Sequence, residues 1–167
     1  MKETAEYVIN NLLDDISNFG FIPNGGRIYY LDRSQPPLLS EMIKSYLDAV
    51  QWSSSEGMAM LQRAYPLLVK EYEWWMDPEN GHVVTITLAS LNGPESYTLN
   101  RYFSNETSPR PESYTEDVQT ATTAADPLFL GRPREDTYVN IRAGAESGWD
   151  FSSRWISGPE PKANITR

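Results

Sequence analysis

Pro36-Pro37-Leu38-Leu39-Ser40-Glu41-Met42-Ile43-Lys44-Ser45-Tyr46-Leu47-Asp48-Ala49-Val50 decides what kind of fold this chain makes. Proline is tolerated in the first turn of a helix, where an amide hydrogen would have no partner, so Pro36-Pro37 can open a helix rather than block one. From there Leu39, Met42, Ile43, Tyr46, Leu47 and Val50 recur every three or four residues and share one stripe of a helix expected over about 37 to 50. That stripe must be buried against another element, which points to helix packed on helix.

Both flanks repeat the pattern. Upstream, Val8, Leu12, Leu13, Ile16 and Phe19 predict a helix over about 3 to 18, with Gly20 where it stops. Residues 21–27 follow as a turn-rich loop, in which Asn24-Gly25-Gly26 permits positive φ and polar side chains can converge. Downstream of the Ser53-Ser54-Ser55 break, Met58, Leu61, Leu67, Leu68, Tyr72 and Trp75 predict helix to about 76, with Pro66 either kinking or restarting it. Val83 to Leu88 and Ser96 to Leu99 flank Asn92-Gly93-Pro94 and predict a minor, peripheral β-hairpin near 83–102. Residues 104–112 read as loop. Ser113-Tyr114-Thr115-Glu116 can cap a helix reaching about Ala125, and a last helix over about 132–147 ends at Ser147-Gly148. Residues 158–162 read as loop again. No repeat of fixed period is present, which argues against an α-solenoid, while helical content alone does not separate a bundle from a helical barrel.

Composition narrows the chemistry. At 167 residues with 40 % hydrophobic and 22 % charged residues, the chain is long enough for one domain with a real core. A net charge of -9 argues against nucleic acid, whose backbone is bound by clustered Lys and Arg. Cysteine is absent, which removes disulfides, thiolate nucleophiles and Cys-based metal sites. His82 is the sole histidine, so a cluster of His ligands is excluded, although a carboxylate site for Ca²⁺ or Mg²⁺ is not. Its place after Asp77-Pro78-Glu79-Asn80-Gly81 reads as a turn or surface residue rather than a triad base. No apolar run approaches the roughly 20 residues that cross a bilayer, and MKETAEYVINN lacks the cationic start and apolar stretch of a signal peptide. Sequons at Asn105 and Asn164 favour secretion or membrane association only weakly, and the compartment stays open.

Three segments carry the candidate chemistry. Glu146-Ser147-Gly148-Trp149-Asp150-Phe151-Ser152-Ser153-Arg154-Trp155 sets Asp150 between two indoles and beside a guanidinium. Aromatic faces bind the apolar faces of pyranose rings, and such contact disfavours a charged carboxyl, moving it toward a proton donor. Taken alone, Asp150 would be a helix-end cap or an ion-pair partner of Arg142 or Arg154. Asn24 with Arg33-Ser34-Gln35 can fork hydrogen bonds to vicinal hydroxyls, on a backbone that Pro36-Pro37 stiffens. Alternatively, Arg33 pairs with Asp32 or a neighbouring helix, and Arg27 and Tyr29 are expected to be structural. In Pro109-Arg110-Pro111-Glu112-Ser113, Arg110 can stabilise charge or bind hydroxyls, and Glu112 can accept their protons or hold Arg110.

Together, NGGRIYYLDRSQPP, PRPES and SGWDFSSRW resemble trehalase, the inverting glycoside hydrolase that splits the α,α-1,1 linkage of trehalose. The resemblance implies Asp150 as general acid and a sugar pocket formed by Asn24, Arg33, Ser34, Gln35, Arg110, Pro111, Glu112 and the main chain at Gly148. It implies part of an (α/α)6 barrel, a toroid of six helical hairpins, in a mainly α fold, with no cofactor, no metal, trehalose as the small-molecule partner and no obligatory protein partner. Inverting glycosidases need a second carboxylate about 6.5 to 9.5 Å from the acid to activate water. The family's base lies in a glycine-rich segment expected beyond Arg167, and its PGGRF and Tyr-Trp-Asp-Ser segments have no counterpart here. Residues 1–167 are therefore expected to be the central portion of a catalytic domain, inactive alone. The competing readings are a non-catalytic carbohydrate-binding or regulatory remnant and a helical scaffold without a sugar site. A partial barrel would also expose apolar helix faces, which predicts self-association or molten behaviour.

Overall fold

The computed structural model describes residues 2–91, 93–127 and 131–150. Three helices, α1 (Lys2–Phe19), α2 (Leu39–Val50) and α3 (Ser55–Met76), pack on one another. Leu13 and Ile16 of α1 and Leu39, Ile43 and Leu47 of α2 meet in one core as expected, joined by Ile9 of α1 and Met60 and Ala64 of α3. Val8, Phe19, Met58 and Tyr72, expected on the stripes, are instead exposed, because the buried faces of α1 and α3 are turned from the predicted ones. Helix α2 opens two residues beyond Pro37. Ser54 caps α3 by accepting from the Gly57 amide at 3.0 Å. Gly57 is needed there, since a Cβ would lie 2.5 Å from the Gln51 carbonyl oxygen. Tyr46 donates to Glu56 at 2.6 Å and ties α2 to α3. Pro66 does not restart α3, which runs on to Met76.

Strands β1 (Val83–Ser90) and β2 (Gly93–Asn100) form an antiparallel pair in register Val83↔Asn100 through Ser90↔Gly93. The hairpin is mostly exposed, a peripheral element as its composition suggests. A second helical pair follows, α4 (Tyr114–Ala125) and α5 (Arg134–Ser147). Every residue from Thr137 to Ser147 is buried, so α5 shows no solvent face over that length. Gly148 ends it in the left-handed conformation with φ 67°, as the sequence predicts.

The fold is thus mainly helical with one small two-stranded sheet. Among the described residues there is no closed ring of helices, and no helix is long and apolar enough to cross a membrane.

Candidate functional site

The site is built on the end of α5. Glu146, fully buried there, accepts the backbone amides of Ser34 at 2.9 Å and Phe103 at 2.8 Å, the Ser34 hydroxyl at 2.9 Å, and His82 Nε2 at 2.9 and 3.1 Å. One carboxylate thereby fastens the loop before α2, the entry to β1 and the strand exit beyond β2. A buried carboxylate is tolerable because these donors replace its water. His82 is not a surface turn residue: it is 4 % exposed and packs between Trp74 and Trp75, each with ring centroids 4.7 Å away. The turn before it forms as the sequence predicts, and the side chain folds inward because Glu146 supplies a partner and the two indoles supply walls.

A second network lies one turn back along α5. Arg33, buried, donates through Nε to Asn24 at 3.2 Å, through Nη1 to Asp32 at 3.2 Å and through Nη2 to Glu112. Arg142 pairs with the other Asp32 oxygen and donates to the Ser108 and Pro109 carbonyls. Burial pulls the Arg142 guanidinium below its ordinary pKa. Arg110 is clamped by Asp117, which accepts from its amide and Nε at 2.9 Å and from Nη2 at 2.8 Å. Burial works against the Arg110 charge, but Asp117, with Glu112 and Asp150, more than offsets it and raises the pKa.

The predicted residues separate by what they touch. Asn24, Arg33 and Glu112 meet directly, and Gln35 joins them by donating to the Asn24 carbonyl at 2.7 Å. Glu112 Oε1 receives Arg33, whereas its buried Oε2 has no hydrogen-bond partner among the described residues. Arg33 pairs with Asp32, as its structural reading has it, and also with Glu112, its side chain 1 % exposed. Ser34 points inward, its hydroxyl against Glu146 rather than toward solvent. Pro111 opens a short 3-10 helix and is exposed. The Gly148 turn lies against the first loop, since a Cβ there would be 3.2 Å from Pro36 Cγ.

Asp150 stands at the end of that turn, exposed and without an ion pair to Arg142 or any other described residue. The expected setting of Asp150 between two indoles falls partly outside the described residues: Trp149 is 59 % exposed, and Phe151, Arg154 and Trp155 lie outside them, as do residues 158–162 and Asn164. Asp150 does act on Arg110 electrostatically, which links the third segment to the second.

A cavity of about 810 Å³ adjoins this cluster, bordered by Gly25, Gly26, Gln35 and Pro36 on one side and by Leu12 and Phe19 of α1 on the other. Of the residues predicted for the pocket it is bordered by Gln35 alone. Chemically, the arrangement offers an exposed carboxyl beside a fixed guanidinium and a free carboxylate oxygen, suited to hydroxyl recognition and proton transfer. Among the described residues no group of His, Asp and Glu is arranged to hold a metal ion. The sequence assigns no site role to Glu146 or Asp117, reads His82 as a turn or surface residue, and offers Asp32 and Arg142 only as ion-pair partners. One signal was available, because Arg142 and Glu146 sit four residues apart on a helix that lacks an amphipathic stripe.

Comparison with known proteins matches residues 1–167 to the trehalase family model. The chain is 45 % identical over 166 residues to the trehalase of Dictyostelium discoideum, covering 99 % of this chain and 26 % of that protein. It is 43 % identical over 164 residues to the trehalase of Homo sapiens, with 98 % of this chain and 25 % of the relative covered. A periplasmic trehalase of Xanthomonas campestris is 42 % identical over 169 residues, at 96 % and 27 % coverage. The chain spans about a quarter of the length of these relatives.

Proposed function

As this chain belongs to the trehalase family, we propose that it supplies the general acid and part of the sugar pocket for inverting hydrolysis of α,α-trehalose to two glucose molecules. The observation that carries this reading is the Arg33 to Glu112 ion pair, which joins residues 79 apart in sequence and leaves Glu112 Oε2 without a donor. A sugar hydroxyl would supply that donor, while Asn24, Gln35 and Arg33 hold its neighbours. Asp150 protonates the bridging oxygen as the bond to the anomeric carbon breaks, and Arg110 beside it steadies the carboxylate that results. Water attacks the opposite face, activated by a carboxylate that lies outside this chain. The helices belong, on this reading, to the central part of an (α/α)6 barrel.

Binding without turnover is the companion reading for the 167 residues alone. It rests on the occupation of the nearby carboxylates: Glu146 is fully buried by its donors and Glu112 is tied to Arg33. Calorimetric titration with trehalose, run beside a glucose-release assay, tests both. Trehalose binding without glucose release is expected. Release by the isolated chain would contradict the missing base, and absence of binding, with Glu112→Gln behaving as the unmodified chain, would remove the pocket.

A further inference from the structure

Glu71, on the last third of α3, is 6 % exposed and makes no hydrogen bond or ion pair with any described residue. It borders a cavity of about 430 Å³ together with Pro37, Ser40, Tyr72, Trp75 and Tyr102. Arg101 also reaches this cavity, but its Nε donates to the Gly81 carbonyl at 3.1 Å and its guanidinium sits 4.3 Å from the Phe103 ring centroid. Its charge is engaged there and forms no salt bridge with Glu71. A buried acceptor without a donor is costly, and a buried carboxylate without a counter-charge more so.

We propose that the Glu71 cavity is a binding site for an organic cation, an ammonium or guanidinium group paired with the Glu71 carboxylate and flanked by Tyr72, Trp75 and Tyr102. A neutral hydroxyl would satisfy a lone pair but leave the desolvated charge, whereas a cation satisfies both and gains from aromatic faces. Burial pushes the Glu71 carboxyl up to about 7, so the site is charged only on the alkaline side of neutrality. From the loop before α2 and from α2 itself the cavity receives Pro37 and Ser40, neither of which titrates; α3 adds the Tyr72 phenol, and the segment beyond β2 adds Arg101 and Tyr102, the phenol of the latter raised by burial and by Glu146. Glu71 is the group among these that changes charge near neutrality. The cation can be a free alkyl cation or a Lys or Arg side chain of polypeptide, and this site is independent of the trehalose reading.

The test follows the Glu71 carboxyl carbon by NMR while the chain is titrated with ethylguanidinium, with an arginine-centred capped tripeptide, or with glucose. Both cations should shift that carbon and lower the Glu71 pKa, binding about 30-fold more weakly at about pH 5.5 than at about pH 8.5. Glu71→Gln, close in shape, should abolish the response, and the pH dependence of the unmodified chain reads the same point without a variant. A response to the tripeptide alone assigns the site to a polypeptide side chain; a response to ethylguanidinium as well supports a free-cation site. Glucose shifting the carbon as strongly without pH dependence, or no response to either cation, would overturn the proposal.

Discussion

Glu146 lies four residues before Asp150, and its carboxylate receives Ser34, His82 and Phe103 from three separate segments. In Glu146→Gln one oxygen becomes an amide NH₂ facing donors, so a buried network is broken at one partner. The denaturation midpoint in urea should fall by an amount equivalent to about 3 kcal/mol; a loss below about 0.5 kcal/mol, the size of an ordinary surface change, would contradict the role. Glu71 gives a pH signature of opposite origin. Its carboxyl is raised from 4.5 to about 7 by burial, so the folded state holds the proton more tightly than the unfolded one. The protein pays nothing below about pH 4.5 and loses stability as pH rises to about 7, by up to about 3 kcal/mol. Denaturation midpoints measured across that window should decline in the unmodified chain and flatten in Glu71→Gln. Arg33 and Glu112, which the structure brings together, could be singled out because short motifs carried them. Asp32 was legible as a neighbour of Arg33, but the tie of Arg33 to Glu112 across 79 residues and the meeting of His82 and Ser34 with Glu146 across 64 and 112 were not, since no local period records them.

Helices α1 to α3 were readable because each keeps one stripe toward a shared core and leaves the other face wet. Helix α5 was placed by its Gly148 stop rather than by a stripe, because it is buried all round from Thr137 to Ser147. That burial makes it intolerant of added volume: Ala143→Leu, at a fully buried position, should destabilise by about 1 to 3 kcal/mol in a chemical melt. The helix end is tested differently. Gly148 holds φ 67° and leaves 3.2 Å between a built Cβ and Pro36 Cγ, so Gly148→Ala combines left-handed strain with a close contact against the first loop. A cost of about 1 to 2 kcal/mol is expected, together with weaker trehalose binding in calorimetry. Unchanged affinity would separate the turn from the pocket. The hairpin and its peripheral place were legible from its β-branched residues and its turn, whereas its register, Val83↔Asn100 through Ser90↔Gly93, was not specified by them.

Seen whole, the chain matches its relatives along nearly all of its own length and about a quarter of theirs, while Tyr7, Val8, Phe19, Ile28 and Leu38 stand exposed on its helices and first loop. Apolar surface of that kind seeks cover, so sedimentation velocity on the isolated chain should show concentration-dependent association; a sharp monomer peak at all concentrations would contradict this. The six-hairpin ring is implied by resemblance alone, and the five α-helices among the described residues, in two packed groups, are too few to close it. Glucose release from trehalose by a chimera, in which residues 1–167 replace the matching quarter of the Dictyostelium discoideum trehalase, addresses the central claim directly. The chimera should be active, and Asp150→Asn within it should lower the rate by about 10² to 10⁴ while leaving trehalose binding in place. An active chimera that loses nothing with Asp150→Asn would show that the proton comes from elsewhere.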